Sequence, residues 1–218
     1  MILILLGPPG AGKGTQAKLL SQQLQVPHIS TGDMFRDHKA RGTELGKKVD
    51  AIMASGGLVP DDVTNDMVKD RLSRPDVARG FILDGYPRTA AQAAYLDQLL
   101  VSMGRKLDRA LSYEIAQELL VDRMSGRRSC PRCGAVYHVT ANPPRQAGAC
   151  DREGAALVQR DDDKAETVAR RLREYEAKTE PLKRYYQERG SLSEVAGTGT
   201  PEAVLASALG VLGRAPRA

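Results

Sequence analysis

The decapeptide GPPGAGKGTQ, residues 7–16, decides how the rest of this sequence is interpreted. It follows the apolar run ILILL, residues 2–6, which is short and free of polar residues and so predicts a buried parallel strand. Residues 17–24 place leucines four apart among good helix formers and predict a helix. Strand, glycine-rich turn and helix, in this order, are the context that a phosphate-binding loop requires.

The residues of this loop suit phosphate groups. Glycines lack a Cβ, so the backbone can bend tightly and present several N–H groups to one anion, and the helix N-terminus adds a positive dipole end. Lys13 supplies a charge for the terminal phosphates, and a hydroxyl group can help to hold Mg²⁺. Gly14 follows the lysine, so the hydroxyl stands at Thr15, one position later than in the generic pattern. Thr15 could therefore hold Mg²⁺ directly or through a water molecule. The loop predicts a nucleoside triphosphate site; a turn without a ligand is the alternative.

Length and composition are those of a globular protein. The 218 residues suffice for one core domain with insertions or for two small domains, and 41% hydrophobic and 27% charged residues are ordinary values. No run approaches the roughly eighteen apolar residues of a membrane span, so we expect no membrane partner. The first apolar run lacks a basic leader and a cleavage site, which argues against a signal peptide and predicts a cytoplasmic protein.

The net charge of +5 suits anionic ligands, which include both nucleic acids and nucleotides. The basic residues are dispersed among acidic ones and form no lysine–arginine block, so we expect no nucleic-acid partner. Three cysteines are an odd count, which argues against a disulfide framework.

Strand and helix patterns alternate along the chain and predict an α/β fold with a parallel five-stranded sheet flanked by helices. The further strands are predicted at residues 26–30, 80–84, 107–115 and 191–195. The helices are predicted from residue 34, after a capping turn at 31–33, and at 47–54, 63–72 with Asp61 or Asp62 as cap, 90–102, 117–124, 164–179, 182–188 and 202–212. Residues 126–163 are rich in Gly, Pro, Arg and Cys and are interpreted as an inserted subdomain, and residues 213–218 as a frayed tail.

Several charged residues stand at breaks between these elements. Phosphoryl transfer needs positioning and positive charge more than a nucleophilic side chain, and guanidinium groups can clamp phosphate oxygens in a bidentate way. Each arginine alone would suit a solvated surface, so it is their joint placement that favours phosphate binding. Asp84 ends an apolar strand and resembles the second Mg²⁺-site element of phosphate-loop enzymes; a turn cap is the alternative. The arginines at these breaks are Arg36, Arg88, Arg123, Arg127, Arg160 and Arg171.

Over nearly its whole length the sequence resembles adenylate kinases, in the long bacterial form with a large lid. The matching motifs are GPPGAGKGTQ at 7–16, STGDMFR at 30–36, GLVPD at 57–61, DGYPRT at 84–89 with Gln92, GRR at 126–128, QRDDD at 159–163, and Arg171-Leu172 with Pro181-Leu182. The resemblance implies a P-loop phosphotransferase fold with a core of residues 1–29, 60–125 and 164–218, a small helical AMP-binding domain at 30–59 and a β-rich lid at 126–163.

The resemblance also implies the reaction Mg·ATP + AMP ⇌ 2 ADP, a role in adenine nucleotide homeostasis and a monomer whose partners are ATP, AMP and ADP. The implied ATP-binding residues are Gly10, Ala11, Gly12, Lys13, Gly14, Thr15, Arg123, Arg127 and Gly199. The implied AMP-binding residues are Thr31, Arg36, Gly57, Leu58, Val59, Gly85, Tyr86, Pro87, Arg88, Gln92, Arg160 and Arg171, with Gln92 reading the adenine edge. The implied catalytic residues are Lys13, Arg88, Arg123, Arg160 and Arg171.

The predicted lid carries Cys130 and Cys133 and then, after sixteen intervening residues, Cys150 and Glu153. Two short knuckles at this separation are typical of a metal site, and Zn²⁺ accepts thiolates and a carboxylate in one tetrahedron. Zinc-bearing lids of adenylate kinases have Cys or Asp at the fourth place, from which Glu153 departs. Asp151 or His138 is an alternative ligand, and three metal-free thiols are the alternative to a metal site.

Three other functions remain open from the sequence. A sister kinase would use GTP as donor or UMP or CMP as acceptor, although Thr31 and Gln92 favour AMP. A nucleotide-switch ATPase would need no second phosphate clamp, so the DGYPR segment at 84–88 argues against it. A zinc-ribbon nucleic-acid binder would bind DNA or RNA with a steep salt dependence.

Overall fold

The computed structural model describes residues 1–215, and the end of the predicted tail, residues 216–218, lies outside them. At its centre is a five-stranded sheet in the order β2-β3-β1-β4-β7. All four neighbouring pairs are parallel. The predicted α/β fold with a parallel five-stranded sheet is therefore confirmed. The strands of this sheet are β1 (Ile2–Leu6), β2 (His28–Ser30), β3 (Phe81–Asp84), β4 (Arg109–Glu114) and β7 (Leu192–Ala196).

Helices cover both faces of the sheet, which is why its central strands β1 and β3 are apolar on both sides. On one face, Ile4 of β1 belongs to the same cluster as Leu96 and Tyr186. On the other face, Leu3 clusters with Leu20 and Leu205. The helices are α1 (Lys13–Leu24), α2 (Thr31–Ala40), α3 (Glu44–Ala54), α4 (Asp61–Leu72), α5 (Ala90–Ser102), α6 (Glu118–Ser125), α7 (Ala165–Glu174), α8 (Leu182–Gln187) and α9 (Pro201–Val211).

Strand β1 is the point at which the strand order reverses, because β3 and β4 lie on its two sides. In such a sheet, ligands bind in the crevice at the carboxyl ends of the strands next to the reversal. The loop of residues 7–12, which leaves the carboxyl end of β1, therefore begins at this crevice. Asp84 ends β3 at the same edge and is in register with Leu5.

Two segments project from this core. Helices α2 and α3 share a small cluster with α4 and the segment before it, in which Phe35, Val49, Val59 and Met67 are buried. The segment predicted as a lid contains a two-stranded antiparallel sheet of β5 (Arg127–Ser129) and β6 (Val136–His138). Its buried cluster consists of Cys130, Ala135, Tyr137 and Cys150, so two of the three cysteines occupy the place of core residues there.

Two predicted helix starts were wrong because each helix is capped by an earlier residue than expected. Helix α2 begins at Thr31 rather than at residue 34, since Ser30 Oγ accepts a hydrogen bond from the backbone N–H of Asp33 and caps the helix directly at the end of β2. Helix α3 begins at Glu44 rather than at residue 47, because Thr43 Oγ1 accepts from the N–H of Gly46.

Two further predictions on helices need correction. Neither Asp61 nor Asp62 caps α4: Asp61 is the first helical residue, and its carboxylate accepts hydrogen bonds from Thr89 and Gln92. The helix predicted over 164–179 is α-helical only to Glu174 and continues as a π-helical turn over Tyr175–Thr179.

Candidate active site

A cavity of about 730 Å³ opens at the carboxyl edge of the sheet. Its walls come from the phosphate loop, helix α2, the segment after β3, the lid and the loop before α9. It gathers seventeen of the predicted site residues, which are Gly10, Ala11, Gly12, Lys13, Gly14, Thr15, Arg36, Gly57, Leu58, Gly85, Pro87, Arg88, Arg123, Arg127, Arg160, Arg171 and Gly199.

The phosphate loop depends on glycine at two positions. Gly12 caps α1 in the left-handed conformation, with φ 86°, which costs a residue with a Cβ about 1 kcal/mol or more. At Gly7, with φ 133°, a Cβ would lie 2.8 Å from the carbonyl oxygen of Tyr113, so the loop passes closer to β4 than any other residue type permits. The backbone is thereby held in a curve at the head of α1.

Lys13 lies within this curve. Its Nζ donates hydrogen bonds to the carbonyl oxygens of Gly7 and Pro8 at 2.6 and 2.9 Å. Burial lowers the pKa of Lys13 to about 7, while Asp84 opposes the decrease and Arg88 adds to it. A phosphate group beside Lys13 would restore its charge, so the site is built for an anion.

Asp84 lies beside the loop, because a Cβ on Gly14 would be 3.4 Å from its Oδ2. Burial raises the pKa of Asp84, but His28 and the Lys13 ammonium hold it below its usual range. The carboxylate is therefore ionised at neutral pH, and His28 Nε2 lies 3.4 Å from its Oδ2. An ionised carboxylate beside a phosphate loop fits a hard cation such as Mg²⁺, which prefers oxygen ligands.

A second anion-binding arrangement surrounds Arg88. Its Nε donates to the carbonyl oxygen of Gly85 at 2.8 Å, and Thr31 Oγ1 donates to the same oxygen at 2.9 Å. The backbone N–H of Arg88 donates to Gln92 Oε1 at 2.8 Å. Burial lowers the pKa of Arg88, against the nearby charges of Asp84 and Asp162. These contacts fix the guanidinium group in the cavity, where it can clamp a second phosphate.

Four predicted AMP-binding residues lie behind this wall and do not line the cavity: Thr31, Val59, Tyr86 and Gln92. Tyr86 is a core residue, 1% exposed, and its hydroxyl donates to Asn65 Oδ1 at 2.6 Å. Both polar atoms of the Gln92 side chain are hydrogen-bonded: Nε2 donates to Asp61 Oδ1 at 2.7 Å, and Oε1 accepts from the backbone N–H of Arg88. Reading an adenine edge would require Gln92 to exchange one of these bonds.

Asp163 organises the arginines between the two arrangements. It is fully buried, and Arg127 Nε donates to its Oδ2 at 2.8 Å while Arg171 Nη1 donates to its Oδ1 at 3.2 Å. Burial lowers the pKa of Arg171 to about 10, partly offset by Asp162. Asp163 thus joins the two guanidinium groups at the edge of the cavity, and Arg171 also pairs with Asp162 Oδ2 at 2.9 Å.

The other two predicted arginines are attached to the lid and to the last loop. Arg160 Nε donates to Ser129 Oγ at 3.0 Å, and burial together with Arg36 lowers its pKa to about 10. Arg123 Nη1 donates to the carbonyl oxygen of Gly197 at 3.1 Å. Both residues line the cavity, and the nearby charges of Asp33 and Asp162 offset only part of the decrease in the pKa of Arg160.

The three cysteines meet in the lid. Within residues 1–215 the sulfur atoms of Cys130, Cys133 and Cys150 form a group in which all donors lie within 4.8 Å of one another. Burial raises the pKa of Cys150, but hydrogen bonding from Tyr137 and from two backbone N–H groups lowers it to about 6. A thiolate is the form that binds zinc, so the chemistry of this cluster fits the predicted metal.

The fourth predicted ligand, Glu153, lies outside this group of donors. The alternatives are committed elsewhere: His138 Nδ1 accepts from the N–H groups of Thr140 and Ala141, and Asp151 Oδ1 accepts from the N–H of Arg145. Glu153 is exposed, and its backbone N–H is one of the two that hydrogen-bond to Cys150, so this residue already adjoins the thiol cluster.

Comparison with known proteins agrees with this geometry. A family model described as adenylate kinase matches residues 5–191. An adenylate kinase of Anaeromyxobacter dehalogenans is 74% identical over 98% of this chain and all of its own length. Adenylate kinases of Symbiobacterium thermophilum and Acholeplasma laidlawii are 55% and 53% identical, over 90% and 96% of this chain and 91% and 97% of their own.

The chain belongs to the adenylate kinase family. It is thus a nucleoside monophosphate kinase, an enzyme that transfers a phosphoryl group, as the resemblance of its motifs indicated. None of the helices in the described part of the chain combines the length and apolar character that a membrane crossing requires.

Some residues of this kinase site had no assigned role in the sequence. Asp163 stood in the QRDDD motif, but nothing showed that its carboxylate would pair with two arginines. His28 and Lys18 line the cavity without belonging to a pattern that predicts a site, and Gln16, although it ends the GPPGAGKGTQ motif, had no role of its own. Their placement follows from strand register and helix packing, which local sequence does not reveal.

Proposed function

We propose that this enzyme transfers the terminal phosphoryl group of ATP to AMP, reversibly and with Mg²⁺, giving two ADP. The observation that carries the proposal is that one cavity is lined both by Lys13 with its glycine-rich loop and by Arg88 with the residues that hold it, and each of these groups suits a phosphate. A switch ATPase needs only the first. An enzyme that brings two nucleotides together needs both, in one cavity and facing each other.

The donor would lie on the phosphate loop. Gly10, Gly12 and Gly14 allow close approach of the backbone N–H groups, and Lys13 and Thr15 lie at the first turn of α1, where the dipole favours anions. The donor base would lie towards Gly199, near Arg123 and the lid residues that line the same wall.

The acceptor would lie at the opposite end. Arg88 and Arg36 would hold its phosphate, and the backbone of Gly57 and Leu58 would form the adjoining wall. Thr31 supports this side through its bond to Gly85, and Gln92 supports it through its bond to Arg88. Val59 and Tyr86 would act from behind the wall, by packing.

Catalysis would come from positioning and charge. Lys13, Arg88, Arg123, Arg127, Arg160 and Arg171 surround the space between the two arrangements. Their charges would neutralise the phosphoryl group in flight, a contribution that is large in a site from which water is excluded. The lid residues among the lining would provide that exclusion. Mg²⁺ bound with ATP would add positive charge at the phosphates, with Asp84 and Thr15 as the residues placed to hold it or its water ligands.

We also propose that the lid carries one structural zinc ion, held by Cys130, Cys133 and Cys150 with Glu153 as fourth ligand. Thiolates are soft donors that suit Zn²⁺. Four protein ligands leave no open position for water activation, so the metal would stabilise the lid rather than react. The thiols, which are not paired in disulfides, agree with the reducing cytoplasm in which we place this monomeric enzyme.

The decisive experiment incubates the protein with Mg²⁺, ATP and AMP and measures ADP and free phosphate together. ADP should form with little free phosphate, and formation should require AMP. Phosphate release from ATP alone at the same rate would identify an ATPase instead. A panel with GTP as donor and with UMP or CMP as acceptor then tests the bases, and ATP with AMP should be the best pair.

A further inference from the structure

Gln16 is a buried polar residue of the cavity wall that the phosphate chemistry does not use. It lies in the first turn of α1, three residues after Lys13, and is only 3% exposed. Its Nε2 donates a hydrogen bond of 2.9 Å to the carbonyl oxygen of Pro201, a residue 185 positions away. The bond joins the phosphate-loop helix to the start of α9.

The loop that ends at Pro201 forms part of the proposed donor-base wall, since Gly197, Gly199, Thr200 and Pro201 all line the cavity. The loop is attached to the protein at its beginning, where the N–H of Gly197 donates to the carbonyl oxygen of Glu114 at 2.7 Å. The bond from Gln16 attaches its other end. Gln16 therefore determines where this wall lies relative to the phosphate loop.

The second polar atom of the Gln16 side chain, Oε1, has no partner among the described residues. Oε1 of Gln16 is buried and has no hydrogen-bond partner within residues 1–215. An unsatisfied buried acceptor is unfavourable, which calls for a partner in the working enzyme. Exchanging the positions of Oε1 and Nε2 would not solve this, because the carbonyl oxygen of Pro201 needs a hydrogen-bond donor and Oε1 can only accept.

We infer that Gln16 is a positioning and specificity residue for the donor base. It holds the 197–201 wall against which the base packs, and its buried, unpaired Oε1 gives that wall an acceptor that favours a hydrogen-bond donor on the base. The amino group at position 6 of adenine suits this acceptor, whereas the carbonyl group at the same position of guanine does not. The inference rests on the proposed function, in which the donor base lies at this wall.

The test compares Gln16→Met, which keeps the size of the side chain but neither polar group, with Gln22→Met on the exposed face of the same helix. The KM values for ATP and for AMP are measured together with the ratio of kcat/KM for ATP over GTP. We expect Gln16→Met to raise the KM for ATP about fivefold or more, to change the KM for AMP less than twofold, and to lower the ATP/GTP ratio several-fold. Gln22→Met should behave like the parent.

Equal changes in both KM values, or an unchanged ATP/GTP ratio, would overturn the inference. If Gln16→Met fails to fold, Gln16→Asn serves instead, because its shorter amide cannot reach Pro201 but keeps the polarity of the site. Calorimetric titration of the parent and this variant with ATP and GTP needs no acceptor reaction. A failure of the AMP-kinase proposal would therefore appear in the parent's product assay, and a failure of the Gln16 inference in the binding ratio.

Discussion

The Nζ atom of Lys18 donates a hydrogen bond of 2.7 Å to the carbonyl oxygen of Gly134. Lys18 lies on α1, just beyond the phosphate loop, and Gly134 directly follows Cys133 in the lid. The turn of the lid is fixed by a second bond, from the N–H of Gly134 to the carbonyl oxygen of Cys130. One lysine thus connects the phosphate-loop helix to the knuckle that holds two of the three thiols.

Removing this contact should loosen the lid. Lys18→Met keeps most of the side-chain volume but loses the bond, whose net value is about 0.5–1.5 kcal/mol. We expect the KM for ATP to rise about two- to tenfold and residues 126–163 to be cleaved faster by protease, with little change in the KM for AMP. Lys69→Met, on the exposed face of α4, is the matched control. Unchanged proteolysis of the lid in Lys18→Met would show that the contact does not restrain it.

Replacing the second phosphate clamp should affect one nucleotide only. Arg88→Lys keeps a charge but loses the bidentate fork and the bond from Nε to Gly85. We expect kcat/KM for AMP to fall about tenfold or more, which corresponds to roughly 1.4 kcal/mol, while ATP binding stays nearly unchanged. Steady-state kinetics and calorimetric titration measure the two effects, and Arg184→Lys, at a side chain that is 84% exposed, is the control. Equal weakening of both nucleotides would place Arg88 elsewhere in the mechanism.

The buried charge of Lys13 predicts a pH-dependent stability. Burial lowers the pKa of Lys13 from 10.5 to about 7, so between these values the unfolded chain binds one proton more than the folded protein at this residue. The free energy of unfolding therefore rises with pH in this window. Below about pH 7 the folded protein carries the whole cost of burying the charged Lys13. Lys13→Met, which removes the charge, should be more stable than the parent at about pH 6, by on the order of 1 kcal/mol or more, and lose that advantage by about pH 10.

Urea unfolding of both proteins across this pH range measures the difference. Lys69→Met is again the control, and its difference from the parent should not follow the same profile. A difference between Lys13→Met and the parent that stays constant with pH would contradict the buried charge. Activity of Lys13→Met should be largely lost at every pH, because the charge beside the phosphates is gone.

The thiol cluster predicts a metal with a structural role. The protein as purified should carry one zinc ion per chain by emission spectroscopy, and Cys130→Ser should carry less, melt at a lower temperature and expose the lid to protease. It should keep substantial activity at moderate temperature, because Lys13, Arg36 and Arg88 lie outside the lid. A parent without stoichiometric zinc, or a variant that melts like the parent, would mean that the cysteines are only packed thiols.

The fourth ligand has its own test. Glu153→Gln should retain zinc less well during dialysis against a chelator, and Glu153→Cys should retain it at least as well as the parent, because thiolate is the softer ligand. Glu118→Gln, an exposed change outside the lid, is the control. If Glu153→Gln retains zinc like the parent, Asp151, His138 or water holds the fourth position instead.

Local pattern predicted most of the fold. The sequence correctly predicted the strand, glycine-rich turn and helix at its start, the apolar strands, and the alternation of strands with helices. These features are local, because a buried parallel strand needs a continuous apolar run and a tight loop needs glycines at its bends. The errors lie at helix ends. Ser30 and Thr43 cap their helices earlier in the chain than predicted. The carboxylate of Asp61 accepts a hydrogen bond from Gln92 and does not cap its own helix. Which partner such a side chain binds depends on the residues that pack near it.

By itself the sequence determined which chemical groups this protein has available: a glycine-rich loop with a lysine that suits phosphate, the arginines, and the cysteines that can meet. Only the tertiary structure decided how these groups are paired. It joined Asp163 to Arg127 and Arg171, Lys18 to Gly134, and Gln16 to Pro201, and it turned Gln92 towards Asp61 and away from the cavity. Such pairs depend on distances between segments far apart in the chain, and those distances are set by strand order and helix packing rather than by any local run of residues.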